Sequence, residues 1–231
     1  MKIEIWSDIV CPWCAIGKAE LDTALTEFEH AGEVELVWRS FELDPEAPPV
    51  RDVDYGGMLA GKYGTTADGG RAMIERMTRT AAEVGLEFDL GRARPGNSFD
   101  AHRLVHLAAD RGLQTRVKER FLRGYLSKGE AIGEHEALER LAVEAGLGRD
   151  EVREILGSDS YAAAVRADEN EALQLGLTGV PLFLIDRRFA INGAHPAVAV
   201  LETLRRVWQE TRGPVTVAGD GRACGPDGCA D

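Results

Sequence analysis

The strongest constraint on this chain is a pair of cysteines, Cys11 and Cys14, set between a short strand pattern and a long helical one. Met1-Lys2-Ile3-Glu4-Ile5-Trp6 alternates as a half-buried strand does, Ser7-Asp8 supply turn and capping oxygens, and Ala15 to His30 carries a helical pattern. Cys11-Pro12-Trp13-Cys14 therefore falls where a strand hands over to a helix N-terminus. A thiol at that place feels the positive end of the helix dipole and leans toward thiolate, the species that attacks disulfides. Strand, CxxC and helix in that order point to dithiol–disulfide exchange. Cys11 is expected outside the first helical turn and exposed, as a nucleophile, with Cys14 inside the helix as the resolving thiol. The same four letters are also half of a structural zinc site, and Cys224 and Cys229 supply a second pair. Those pairs lie at opposite ends of the chain, and Pro12 and Trp13 stiffen and crowd a loop where zinc knuckles carry small turn residues. Redox chemistry is the preferred reading, zinc the lesser one, and no metal ligand is assigned.

A chain of 231 residues suits a core fold carrying a large insertion better than two full domains. With 44% hydrophobic and 29% charged residues it can bury a substantial core. The net charge of −12, with no Lys/Arg run to offset it, argues against nucleic acid and anionic membrane as partners. The strand pattern that starts at Lys2 leaves no room for a signal peptide, and the longest apolar runs, such as Val180 to Ile185, fall far below the roughly 20 residues that span a bilayer. A cytoplasmic location is expected, where four cysteines are catalytic or redox-sensing rather than structural bridges.

Glu33 to Phe41 reads as a second strand, ended by Asp44-Pro45 and Pro48-Pro49. From about Gly69 to Gly176 the pattern is helical throughout. Its apolar stripes are Met73/Met77/Ala81/Val84, Leu104/Val105/Leu107/Ala108, Val117/Phe121/Leu122/Tyr125 and Leu138/Leu141/Ala142/Ala145. Glycines 85, 112, 129, 146 and 157 stand at the ends of these stripes as C-caps. Leu182–Ile185 and Arg188–Ile191 read as strands joined by an Asp186-Arg187 hairpin, and Pro196–Arg212 as a last helix. The order is β-α-β, a helical insertion, then β-β-α. This predicts an α/β thioredoxin-like fold with a central mixed sheet and a large all-helical insertion. The expected boundaries are 1–45 plus 160–212 for the thioredoxin-like domain, 46–159 for the helical insertion, and 213–231 for a flexible tail.

Ser7-Asp8-Ile9-Val10-Cys11-Pro12-Trp13-Cys14 resembles the start of DsbA-type thioredoxin-fold proteins. Asn97 to Arg103 (NSFDAHR), Gly176 to Pro181 (GLTGVP) and Asn192 to Pro196 (NGAHP) are similar to the FrnE-like branch of that family. The resemblance covers about residues 1–212 and implies a disulfide oxidoreductase or isomerase. It also implies that Pro181 is a cis-proline facing the thiols, with Val180 presenting a backbone edge to an extended substrate. From spacing alone a trans proline opening a strand is an equal alternative. The strong oxidants of the family carry a histidine between the cysteines, where this chain has Pro12-Trp13. A less oxidising couple, closer to a reductase or isomerase, is therefore expected. Trp13 either packs over the dithiol ring or offers substrate a flat apolar contact. Glutathione-dependent relatives, the kappa-class transferases and hydroxychromene-carboxylate isomerases, keep a serine where Cys11 sits. Small-molecule isomerisation or transfer is thus the second functional reading, and glutathione a candidate co-substrate. The expected partners are thiol or disulfide proteins or small molecules.

Other residues are weaker candidates. His102 and His106 stand at a chelating i, i+4 spacing without a third ligand, and read as one buried and one solvated histidine. Asn97 or Ser98 is an N-cap, and the resemblance implies that the stretch with Asn97 and His102 lines the cleft opposite Cys11. Asp8 could relay protons to the resolving thiol, although capping the helix is the simpler role. His195 reads as opening the last helix. Cys224-Gly225-Pro226-Asp227-Gly228-Cys229 contains a Pro-Asp-Gly turn that brings its cysteines together, suggesting a second redox pair serving Cys11-Cys14. No P-loop and no GxGxxG after a strand appears, so no cofactor is expected beyond the redox-active cysteines.

Overall fold

The computed structural model describes residues 1–212 and the backbone of 224–225 and 228–229. Strand β1 (Lys2–Ser7) leads through helix α1 (Pro12–Glu27) and a 3₁₀ turn (Ala31–Glu33) to β2 (Glu35–Ser40). Seven helices follow: α2 (Tyr55–Lys62), α3 (Ala67–Glu83), α4 (Phe99–Asp110), α5 (Gln114–Lys128), α6 (His135–Glu144), α7 (Arg149–Leu156) and α8 (Ala162–Gln174). Strands β3 (Leu182–Ile185) and β4 (Phe189–Asn192) then form a hairpin, and α9 (Ala197–Arg212) packs on α1. In the tail, β5 (Cys224–Gly225) and β6 (Gly228–Cys229) pair antiparallel, with Cys224 opposite Cys229 in the backbone register.

The main sheet has the order β2-β1-β3-β4, with β1 parallel to β2 and antiparallel to β3. This is the mixed thioredoxin-like sheet with a large helical insertion. Period-2 alternation sorts its side chains: Ile3, Ile5, Phe183 and Ile185 join the main core, whereas Trp6, Leu182 and Leu184 pack with Ala172 of α8. β1 is therefore covered on both faces and is not half-buried as its alternation suggests. The charged residue buried on the α8 side, Glu4, is held by the guanidinium groups of Arg39 and Arg187. Arg187 reaches it from the tight hairpin, where Asp186 and Arg187 both take positive φ, 46° and 55°.

The helical stretch differs from its expected form in two places. It begins at Tyr55, where the Asp54 side chain accepts from Gly57 N–H, rather than at Gly69. Residues 85–98 interrupt it: Gly85 leaves α3 at φ 76°, and the chain then runs extended past the Pro48-Pro49 segment. There Arg51 N–H donates to the Pro95 carbonyl (2.8 Å) and Asn97 N–H to the Pro48 carbonyl (2.9 Å). Glycine is required at this crossing, because a Cβ on Gly96 or Gly133 would lie 2.1 or 1.8 Å from the Pro49 oxygen. Of the expected glycine caps, Gly157 alone keeps a negative φ, −88°. α1 starts earlier than its pattern, at Pro12, and ends at Glu27 rather than His30. Among the described residues no helix is long and apolar enough to cross a membrane.

Candidate active site

Cys11 is the N-cap residue of α1, in extended conformation (φ −94°, ψ 111°), with Pro12 at the first helical position. Its sulfur therefore stands over the free N–H groups of the first turn. The Cys11 thiol is held below its ordinary value, first by a hydrogen bond from the Cys14 thiol and then by the N–H groups of Cys14 and Trp13, against the opposing effect of burial. Cys14 moves the other way. Burial, together with the Cys11 thiolate it serves, pushes it well above the usual thiol range. The two thiols are thus displaced in opposite directions, and both are unbridged.

Cys11 is not exposed: it retains only 4% of its accessible surface. Its sulfur lies 3.6 Å from the carbonyl oxygen of Val180, whose peptide bond to Pro181 is cis. The Pro181 ring rests on Gly17 of α1, where a Cβ would come within 3.1 Å of its Cγ. In front of Cys11 opens a cleft of about 850 Å³. Pro12, Trp13 and Val180 line it beside the sulfur, and α2, α3 and the segments around Asp44 and Pro95 form its walls. Trp13 also packs against the core.

Asp8, His102 and Asn97 lie behind the dithiol or to its side rather than in the cleft. Asp8 is completely buried and caps no helix. Instead its carboxylate accepts from Leu43 N–H (2.7 Å), fixing the chain just beyond β2, and faces His102 Nε2 at 3.4 Å. Burial raises its affinity for a proton, but the His102 contact and the hydrogen bonds from Leu43 and Ser98 outweigh this and hold it below the ordinary carboxylate range. Burial and the nearby Lys118 lower His102 below the ordinary imidazole value, against the opposing pull of Asp8. Asn97 directs its amide to Glu42 Oε1 (3.2 Å) and the Pro45 carbonyl (3.3 Å), while its Oδ1 accepts from Phe99 N–H (2.8 Å). Ser98 occupies the N-cap position of α4 without a side-chain cap. His106 is only partly exposed, bound to Ser40 Oγ (3.1 Å) and Asp168 (3.2 Å), so the solvated histidine expected there is absent. His195 sits just before α9, against the Asn192 carbonyl (3.0 Å). Among the described residues no cluster of three or more His, Cys, Asp or Glu is placed to hold a metal. For Cys224 and Cys229 the backbone register alone is described; their side chains, and any exchange with Cys11-Cys14, lie outside the described residues.

The profile of the DsbA-like thioredoxin domain matches residues 2–205. The chain belongs to this family. A probable DsbA oxidoreductase from Streptomyces coelicolor is 43% identical, superposes with a TM-score of 0.87, and is matched over 100% of this chain and 99% of its own. The cytosolic disulfide reductase DsbM from Pseudomonas aeruginosa, solved with GSH, is 20% identical over 89% of this chain and 100% of its own, with a TM-score of 0.61. A 2-hydroxychromene-2-carboxylate isomerase is 14% identical over 91% and 97% of the two chains, with a TM-score of 0.66. The last two likenesses are of fold.

This DsbA-like chain also places Lys118, on α5, beside the dithiol, a residue no motif in the sequence singles out. It is fully buried, donates from Nζ to the Ser7 carbonyl (3.1 Å), and stands over the Trp38 ring at 5.5 Å. Burial lowers it to about 8, against the attraction of Cys14, Asp8 and Cys11. A signal was present: Lys118 precedes Phe121, Leu122 and Tyr125 by three, four and seven residues, which places it on their apolar stripe.

Proposed function

We propose that this chain is a cytosolic thiol–disulfide oxidoreductase in which Cys11 is the nucleophile and Cys14 the resolving thiol. The observation that carries the reading is the opposite displacement of two thiols at one helix N-terminus, Cys11 toward thiolate and Cys14 toward thiol. The Cys11 thiolate attacks a substrate disulfide, forming a mixed disulfide as one substrate thiolate leaves. Cys14 then attacks the Cys11 sulfur, closing the intramolecular disulfide and releasing the second substrate thiol, which carries away the Cys14 proton. The Lys118 cation favours Cys14 while its sulfur is briefly anionic. Pro12, Trp13 and Val180 are the substrate contacts, Val180 through its backbone, with Pro181 buried behind it. The location follows the cytosolic reductase of similar fold. Cys224 and Cys229 are read as an auxiliary pair that relays electrons. The net charge of −12 disfavours nucleic acid and anionic membrane.

Cys14→Ser should accumulate mixed disulfides with thiol substrates, and Cys11→Ser should abolish exchange. Full insulin reduction by Cys11→Ser would refute the assignment. The size of the cleft also suits glutathione-dependent isomerisation or transfer on a small molecule. That chemistry needs no resolving thiol, so turnover that survives loss of Cys14 would select it.

A further inference from the structure

The cleft in front of Cys11 differs from an open protein-docking surface in three respects. The first is access. With Cys11 only 4% exposed, a disulfide on a folded protein meets the cleft rim before it meets the sulfur, whereas a small molecule enters. A volume of about 850 Å³ lies within the range of small-molecule sites. The second is the wall. Met58, Met73, Met77, Trp13, Tyr55 and Tyr125 offer adaptable thioethers and aromatic faces. A small ligand made only of charged and amide groups would strip water from its own polar atoms there without replacing it. The two tyrosines also bring phenol O–H groups that make no hydrogen bond among the described residues, and burial keeps both protonated as donors.

The third respect is charge. In a chain of net charge −12 the cleft reverses sign: Arg51, Lys62 and Arg76 line it against Asp44. Arg51 is paired with Asp44, but Lys62 and Arg76 make no ion pair among the described residues. Both are exposed at the mouth, where they would draw in an anion and leave its apolar part for the wall.

We propose that the substrate of this cleft is a low-molecular-mass disulfide whose sulfur is carried on an aromatic or branched apolar group bearing a carboxylate. The inference rests on Cys11–Cys14 exchange and names the substrate class of that site. Each turnover converts the substrate disulfide to two thiols and the protein dithiol to a disulfide, and a dithiol reductant then returns two electrons and two protons to the protein.

The test is stopped-flow oxidation of the reduced protein by four disulfides. These are 5,5′-dithiobis(2-nitrobenzoate), aromatic and dianionic; 4,4′-dithiodipyridine, aromatic and neutral; oxidised glutathione, anionic without an aromatic ring; and insulin. Each rate is divided by that of dithiothreitol with the same disulfide. The dithiobis(nitrobenzoate) value should be the highest of the four and should fall with ionic strength. Its ratio to the dithiodipyridine value should drop about tenfold in Lys62→Gln/Arg76→Gln. Arg79→Gln removes a charge from the same helix as Arg76, but outside the cleft, and should leave that ratio unchanged. Equal ratios in wild type and double variant, an equal drop in Arg79→Gln, or a higher value for insulin or oxidised glutathione would overturn the substrate class while leaving exchange intact. Failure of all four disulfides to oxidise Cys11–Cys14 would instead refute the exchange reading beneath it.

Discussion

Replacing Lys118 by methionine separates what this buried cation does for the site from what it costs the fold. Its displacement from 10.5 to about 8, at about 1.4 kcal/mol per pH unit, corresponds to about 3 kcal/mol of unfavourable burial. The sign follows from proton counts. Below pH 8 the folded and unfolded chains both hold the lysine proton, and the burial cost is fully present. Between pH 8 and 10.5 the unfolded chain still binds the proton that the folded chain has released, so wild-type stability rises with pH across that window. Lys118→Met has no such titration. Its stability relative to wild type should be greatest below pH 8 and fall by about 3 kcal/mol toward pH 10.5. The orphaned Ser7 carbonyl costs the variant about 1–3 kcal/mol, but equally at every pH.

Urea unfolding at intervals from pH 6.5 to 10.5 measures this difference, in a Cys11→Ser/Cys14→Ser background where neither thiol beside Lys118 titrates. Without the thiolates the lysine loses two of its attractive partners, so the window should open at or below pH 8. Parallel stability curves for the lysine and methionine proteins would refute the buried-cation account. With both cysteines restored, Lys118→Met should resolve mixed disulfides about tenfold more slowly near pH 7, since an opposite charge nearby shifts a thiol by about a pH unit or more. Unchanged resolution would confine Lys118 to a structural role.

Glu42, pushed up to about 8 by burial and then by the charge of Glu169, binds a proton when folded that the unfolded chain releases, so it makes stability fall as pH rises from 4.5 to 8. Glu42→Gln should flatten that fall, gaining stability relative to the wild type between pH 4.5 and pH 8 in denaturant titrations. Gly17→Ala should gain about 1 kcal/mol of helix propensity but lose about 1–3 kcal/mol to crowding against Pro181 and Phe183. Its melting temperature should therefore fall and exchange should slow, and a more stable variant with unchanged rates would contradict the tight seat of Pro181. Removing Cys224 and Cys229 together should lower turnover with a protein reductant and leave turnover with dithiothreitol unchanged; equal effects on both would dismiss the tail as a relay.

The dithiol was legible because its signal is local. A strand, two cysteines and a helix within thirty residues place Cys11 at a helix N-terminus whatever the remainder of the chain does. Burial was not legible, because it is imposed from far along the sequence. Glu4 alternates with Ile3 and Ile5 as a solvated residue would, until Arg39 and Arg187 arrive on either side of it. The exposure expected of Cys11 failed for the same reason: the walls in front of it come from α2, α3 and the segments around Asp44 and Pro95. The crossing of Pro49 past Gly96 and Gly133 depends on contacts that periodicity does not register.

The helices between β2 and β3 therefore act on Cys11–Cys14 from two directions. From the front, α2 and α3 turn an N-terminal thiolate that could meet any disulfide into one reached through a cleft of defined size and sign. From behind, α5 delivers a cation to the resolving thiol, where the positive end of the α1 dipole favours Cys11 more than Cys14 because Cys14 already lies within the helix. Under the proposed exchange, a bare strand–CxxC–helix unit would keep the nucleophile and lose both the selection of substrate and the support for resolution. Variants in α2 and α3 should consequently alter which disulfide reacts, and variants at Lys118 how fast the mixed disulfide is released. That division is measurable as effects on the attack step in one set and on the resolution step in the other.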